Sequence, residues 1–189
     1  VKEAMRDMMS GRQMNRLLQG DVGSGKTAVA AALVYSAAKN SMQSALMAPT
    51  EVLAEQHYKT FLKLFEGCSI NVELLTGSDT AAQKRRKKEA LKAGEIDLLI
   101  GTHAIIQSDV EFKSLALVIT DEQHRFGVEQ RNALGEKGKN PQLYVMSATP
   151  IPRTLNMAMT GIRDMTCIDE PPQDRQPIST YVMEQDSGI

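Results

Sequence analysis

The sequence predicts an α/β fold in which helices cover both faces of a central parallel β-sheet. Short aliphatic segments alternate along the chain with amphipathic segments that are long enough to form helices, a pattern typical of such sheets. Each aliphatic segment is apolar enough to be buried on both sides, as the strands of a parallel sheet are. A glycine-rich loop at residues 20–27 also follows one aliphatic segment and precedes a helical one, which is the order found in phosphate-binding units.

The aliphatic segments predict strands over residues 16–19, 43–48, 71–75, 97–100, 115–120, 142–146 and 163–168. The segments between them predict helices over residues 25–39, 51–65, 79–93, 128–137 and 152–160. Residues 1–169 are expected to form one domain. After residue 169 the chain is rich in proline and other turn-forming residues, so we interpret residues 170–189 as an exit linker.

The composition is that of an ordinary soluble globular protein. With 189 residues, the chain is long enough to bury one hydrophobic core. Because 42% of the residues are hydrophobic and 24% are charged, neither a disordered chain nor a scaffold built on disulfides is expected. It has no stretch of about 18 apolar residues, and residues 1–10 lack the apolar segment of a signal peptide. We therefore expect a cytoplasmic protein with no membrane partner.

The distribution of charge limits how the chain could bind nucleic acid. Because the formal net charge is -1, overall basicity does not favour binding and any phosphate contact should be local. One basic cluster, residues 84–88, lies in a predicted helix and is either a solvated helix face or a phosphate-contacting patch. His57 and His103 stand alone in the sequence, and we interpret them as local hydrogen-bonding residues and not as metal ligands.

The glycine-rich loop matches the phosphate-loop pattern GxxxxGK[ST]. Its residues are Gly20, Asp21, Val22, Gly23, Ser24, Gly25, Lys26 and Thr27. The glycines let backbone N–H groups surround a phosphate, and the N-terminus of the following helix adds positive potential. Lys26 is expected to neutralise the β- and γ-phosphates of ATP, and the Thr27 hydroxyl is expected to bind Mg²⁺.

An acidic pair should complete such a site at the end of a neighbouring buried strand. The predicted strand at residues 115–120 is followed directly by Asp121 and Glu122. Asp121 is expected to hold Mg²⁺ through water, and Glu122 to orient and deprotonate the attacking water. The predicted catalytic residues are therefore Lys26, Asp121 and Glu122, with ATP and Mg²⁺ as cofactors.

The order of these motifs resembles that of the superfamily 2 helicases, which implies a RecA-like ATP-binding domain. The phosphate loop corresponds to motif I, residues 121–124 to motif II and residues 147–149 to motif III. In that family, motif II also contributes nucleotide contacts, here Gln123 and His124, and motif III couples hydrolysis to the grip on DNA, here Ser147, Ala148 and Thr149. The DNA-binding residues that the resemblance implies are Pro49, Thr50, Gly101, Thr102, His103 and Arg153.

Longer segments are similar to the RecG family, whose members remodel stalled replication forks by moving along duplex DNA. These segments are residues 14–19, 48–57, 101–107 and 121–131. From about Asn156 the tail looks more like the transcription-repair coupling factor, which has a similar duplex-translocase motor. Ser24 and Gln123 favour RecG, so we expect a motor domain acting on branched DNA, with transcription repair as the alternative.

Both resemblances imply partners outside the predicted domain. A second RecA-like domain would follow the linker at residues 170–189 and bring an arginine that completes the ATP site, and DNA would be bound through its backbone. A protein of a different class, a phosphate-loop nucleotide switch or a transport ATPase, would show no dependence on DNA. The threonine-bearing loops at residues 49–50 and 101–103 argue against that class.

Overall fold

The computed structural model describes residues 1–121, 137–138, 140–148 and 164–168. In these ranges the helices are α1 (Lys2–Met9), α2 (Lys26–Lys39), α3 (Glu51–Leu64) and α4 (Ala81–Ala93), with a short 3₁₀ helix at His103–Ile106. The strands are β1 (Asn15–Gly20), β2 (Gln43–Met47), β3 (Val72–Leu75), β4 (Leu98–Gly101), β5 (Leu115–Asp121), β6 (Gln142–Ser147) and β7 (Asp164–Ile168).

Every strand predicted from the sequence is confirmed, with small shifts at the ends. The helices predicted over residues 25–39, 51–65 and 79–93 are confirmed as α2, α3 and α4. The helix predicted over residues 152–160 lies outside the described residues, as does the one over residues 128–137 apart from its last residue, which lies in a turn. Helix α1 was not predicted. Within the described ranges, no helix combines the length and the apolar character that crossing a membrane requires.

The described strands form one seven-stranded sheet in the order β3-β4-β2-β5-β6-β1-β7, and all neighbouring pairs are parallel. Successive side chains of a strand point to opposite faces of the sheet. In β2, Leu46 accordingly joins one hydrophobic cluster, whereas Ala45 and Met47 join another. The sheet is therefore buried on both faces, as its aliphatic strands predict.

Different helices cover the two faces. Leu33 of α2 and Phe61 of α3 are fully buried in the cluster that contains Leu46, whereas Leu91 of α4 and Ile105 of the 3₁₀ helix lie in the cluster that contains Met47. Burying a side chain of this size contributes about 1.5–3 kcal/mol, so both layers stabilise the sheet. The predicted parallel sheet with helices on both faces is confirmed.

A buried arginine of β1 ties this strand to helix α1 and to the neighbouring strand β7. Arg16 of β1 is 8% exposed, and its guanidinium donates to Asp7 at 2.6 Å and to Glu3 at 3.2 Å, both in α1. It also donates to the hydroxyl of Thr166 in β7. The strand that precedes the glycine-rich loop is thus tied both to the preceding helix and to the edge strand.

Gly101, the last residue of β4, has a steric role that leads to a prediction about stability. A Cβ atom on Gly101 would lie 2.3 Å from the backbone oxygen of Leu75 and 2.8 Å from Cγ2 of Ile105. Because β3 and β4 are paired, this oxygen has little room to move. We expect Gly101→Ala to lower the free energy of unfolding by about 1–3 kcal/mol or more, since about 1–3 kcal/mol is the typical cost of overpacking. Urea denaturation measures this loss.

The matched control is Gly77→Ala. Its added Cβ would meet only the end of the flexible Glu51 side chain, with Oε1 at 2.8 Å. This substitution should therefore cost less stability than Gly101→Ala. Equal losses for the two variants would contradict the steric explanation.

Candidate functional site

The predicted site residues meet at one edge of the sheet. Because all described strands are parallel, the loops after β4, β2, β5, β6 and β1 leave from the same edge, in that spatial order. The predicted DNA residues lie after β4 and β2, and Asp121 ends β5. The predicted coupling residues begin at the end of β6, and the phosphate loop begins at the end of β1. The nucleotide and DNA candidates therefore lie side by side along the carboxyl ends of the strands.

The phosphate loop is closely curled. Gly23 and Gly25 have φ angles of 81° and 88°, in the left-handed region that glycine adopts without strain. A Cβ on Gly20 would lie 2.6 Å from Oγ of Ser24, so the loop folds back on its own first residue. Gly25 is also the N-cap of α2 and supplies no side-chain cap, and the N-terminus of a helix favours an anion.

The Lys26 ammonium lies inside this loop. Its Nζ donates to the backbone oxygens of Gly20 and Asp21, each at 2.7 Å. The Ser24 hydroxyl is buried and has no hydrogen-bond partner among the described residues. An ammonium, the N-terminus of a helix and a buried hydroxyl form a donor set that fits the oxygens of a triphosphate.

The oxygen ligands expected for Mg²⁺ lie on nearby elements. Thr27 is half-buried in the first turn of α2, and Asp121 is half-buried at the end of β5. A hydroxyl and a carboxylate are ligands that Mg²⁺ accepts while it keeps several waters. These two residues therefore fit the predicted cation site.

Asp121 has a partner that the sequence did not reveal. Its Oδ2 lies 2.7 Å from Nε2 of His57 in α3, and the two side chains are only 17% and 12% exposed. His57 is hydrogen-bonded, as predicted, but to a residue of the candidate site and not to a local group. A separation of 64 residues leaves no sequence signal for this pair, since it depends on how α3 packs beside β5.

Two of the predicted coupling residues, Ser147 and Ala148, lie between the two halves of the candidate nucleotide site. Strand β6 is paired on one side with β5, where Met146 is opposite Asp121, and on the other with β1, where Ser147 is opposite Gln19. Ser147 ends β6 and Ala148 follows it. The end of β6 therefore lies beside both Asp121 and the strand end that leads into the phosphate loop.

The predicted DNA residues differ in exposure. Thr50 and His103 are exposed and Pro49 is half-buried, whereas Gly101 and Thr102 are buried. The Thr50 hydroxyl oxygen accepts from the backbone N of Leu53 and so caps α3, while its hydrogen can be donated elsewhere. Thr50 and His103 are thus the described candidates whose side chains reach the surface.

Several predicted site residues lie outside the described residues. They are Glu122, Gln123, His124, Thr149 and Arg153, together with the linker at residues 170–189. Their roles stay predictions.

The basic cluster on α4 is largely used in contacts within the protein. Lys87 pairs with Asp79 at 2.9 Å, and Lys88 pairs with Asp109. Lys84 donates to the backbone oxygen of Gly77 at 2.7 Å. Burial alone would raise the pKa of Asp79, but the Thr76 amide and the Lys87 ammonium outweigh it, and the pKa lies below its ordinary value. These contacts favour a structural role for the cluster over phosphate binding.

Sequence comparison relates the chain to known helicases. A model of the DEAD/DEAH box helicase family matches residues 2–158. The ATP-dependent DNA helicase RecG of Bacillus subtilis is 55% identical over 186 residues, which are 98% of this chain and 27% of that protein. RecG of Thermotoga maritima is 50% identical over 185 residues, which are 98% of this chain and 24% of that protein. The chain thus spans about a quarter of the length of these relatives.

Structural comparison agrees. A structure of RecG bound to a three-way DNA junction matches with a TM-score of 0.81 and 47% identity, over 94% of this chain and 24% of that one. A DEAD box protein from Methanococcus jannaschii matches with a TM-score of 0.64 and 18% identity, over 88% of this chain and 47% of that one, which shows the fold alone. The RecA-like fold and the resemblance to RecG are confirmed. Since the family model covers residues 2–158 of 189, the chain belongs to the DEAD/DEAH box helicase family.

Proposed function

We propose that this chain is the ATP-binding motor segment of an ATP-dependent DNA helicase that acts on branched DNA. The observation that carries this proposal is the placement of the Lys26 ammonium and the Asp121 carboxylate at one edge of the sheet. The ammonium is bound to the end of β1 and the carboxylate ends β5, and both strands pair with β6. The DNA candidates lie at the same edge, after β2 and β4. The proposed nucleotide site and the proposed DNA-binding site therefore lie next to each other at one edge of the sheet.

Each residue has a distinct role at the nucleotide. Lys26 and the N–H groups of the phosphate loop bind the β- and γ-phosphates, the Thr27 hydroxyl binds Mg²⁺, and Asp121 holds Mg²⁺ through water. When bound, Mg²⁺ neutralises charge on the phosphate oxygens. Glu122 orients the attacking water and accepts its proton, which matters chiefly in the transition state.

The similarity to RecG supports branched DNA as the substrate. RecG relatives match over 98% of this chain, so the match includes most of the tail that resembles the transcription-repair coupling factor. The RecG structure that matches is described as bound to a three-way DNA junction. Fork remodelling is therefore preferred to transcription repair.

We also propose that a second RecA-like domain completes the motor. The chain covers 27% of the RecG relative from Bacillus subtilis, so that protein has ample length for further domains. In the helicases that the motifs resemble, the second domain closes over the nucleotide. Residues 170–189 would connect the two domains.

The DNA track predicts binding that depends on salt and not on base sequence. Each cationic contact to duplex phosphate contributes about 0.9 to the slope of log affinity against log salt. In the complete protein, Arg153→Ala should lower this slope by about 0.9, measured by fluorescence anisotropy with a labelled three-way junction from low to moderate salt.

The control for this titration is Lys39→Ala. Lys39 is the last residue of α2, and since α2 starts at the phosphate loop, Lys39 lies toward the opposite edge of the sheet. Its removal should leave the slope unchanged. Affinity that does not vary with salt, or an equal effect of the two substitutions, would contradict the backbone track.

A further inference from the structure

We propose that His57 is a positioning residue that holds the Asp121 carboxylate in the orientation required for binding Mg²⁺. The inference rests on the proposed function, because it assumes that Asp121 serves a cation bound with ATP. It assigns a role to a side chain that belongs to neither the phosphate loop nor the acidic motif. The role concerns geometry, because the side-chain hydrogen bond of His57 is made with Asp121.

The contact has the geometry of a charge-assisted hydrogen bond. Nε2 of His57 lies 2.7 Å from Oδ2 of Asp121, within the range for an N–H donor and a carboxylate. With exposures of 12% and 17%, both side chains are largely shielded from water. The contact uses one carboxylate oxygen and leaves the other for a further ligand.

The imidazole is itself held firmly. Helix α3 is anchored to the sheet through Ala54 and Phe61, both fully buried, and these residues flank His57 along the helix. The rings of His57 and Phe61 are 6.5 Å apart with an interplanar angle of 52°, within the range of favourable tilted contacts. The donor atom therefore comes from a rigid element.

Asp121 has more need of such support than a residue inside a strand. It is the last residue of β5, at the carboxyl end of the strand. The backbone pairing of β5 with β6 fixes its Cα position, but does not fix rotation of the carboxylate. Partners of metal-binding carboxylates restrict this rotation, and losing one typically costs about 10- to 100-fold in metal affinity or activity.

A purely structural contact would have a different signature. If His57 only tied α3 to β5, removing its donor would lower stability without changing how strongly the site responds to Mg²⁺. If it positions Asp121, the response to Mg²⁺ should weaken even where the fold and the phosphate loop are intact. The two roles are therefore separable by measuring nucleotide binding with and without the cation.

The test compares two amide substitutions in the complete protein. The amide nitrogen of glutamine reaches about as far from Cα as Nε2 of histidine, whereas that of asparagine stops near the position of Nδ1. His57→Gln thus keeps a donor near Asp121, and His57→Asn withdraws it. His57→Phe, which keeps a ring beside Phe61 but has no donor, serves as a second loss variant should His57→Asn fail to fold.

The measurement is the affinity for a fluorescent non-hydrolysable ATP analogue, with Mg²⁺ and with EDTA. In the wild type, Mg²⁺ should raise the affinity. We expect this gain to fall by about tenfold or more in His57→Asn and His57→Phe and to be largely retained in His57→Gln, with the affinity in EDTA unchanged throughout. Thr60→Ala, at an exposed position of α3, should behave as the wild type.

Two failures can be told apart. If Mg²⁺ produces no gain in the wild type, the proposed nucleotide site is wrong and this inference fails with it. If the wild type shows the gain and folded His57→Asn and His57→Phe show the same gain, the nucleotide site stands and the positioning role of His57 is wrong.

Discussion

Replacing Lys26 by alanine is expected to abolish binding of Mg·ATP while leaving the sheet intact. The Lys26 ammonium lies 2.7 Å from two backbone oxygens of the phosphate loop, where it would neutralise the phosphates. Alanine is the most favourable helix former, so the first turn of α2 should persist. Isothermal titration calorimetry with a non-hydrolysable analogue measures the loss.

Lys39→Ala is the matched control for this substitution. It removes an equal charge from the last turn of the same helix, away from the phosphate loop, and should leave the affinity unchanged. A Lys26→Ala variant that binds Mg·ATP like the wild type would show that the loop does not use this lysine for the phosphates.

The 189-residue segment alone is expected to bind ATP but to hydrolyse it about 10³- to 10⁵-fold more slowly than the complete protein, the range attributed to an arginine finger. Lys26, Thr27 and Asp121 are supplied by this segment, whereas the families it resembles supply the arginine from a second RecA-like domain. Steady-state phosphate release with branched DNA measures the difference.

Adding the second RecA-like domain should restore DNA-stimulated turnover. Binding of the ATP analogue by the segment is the control, because it shows that the phosphate loop is formed. Rapid, DNA-stimulated turnover by the segment alone would mean that the arginine is supplied internally or by self-association, and the two-domain proposal would be wrong.

The nucleotide site was predictable because its information is local. The phosphate loop is defined by consecutive residues, and Asp121 ends a strand whose preceding residues are mostly aliphatic and buried. Strands buried on both faces appear as continuous aliphatic segments, so their positions could be predicted without knowing their neighbours. The common edge of the motifs then follows from a parallel sheet.

What the sequence did not reveal depends on distant contacts. Helix α1 is short and rich in charge, and Arg16, which binds its acidic residues, belongs to the next element of the chain. The pairing of His57 with Asp121 requires the packing of α3 beside β5. The burial of Thr102, which is 3% exposed, likewise follows from how the 3₁₀ helix covers the end of β4.

The most direct test of the proposed motor is the rate of phosphate release by the complete protein with and without a three-way DNA junction. A helicase motor that uses the adjacent nucleotide and DNA sites should hydrolyse ATP faster when the junction is present, and Lys26→Ala should remove this activity. An equal rate with and without the junction would contradict the proposal and favour a nucleotide switch or a transport ATPase.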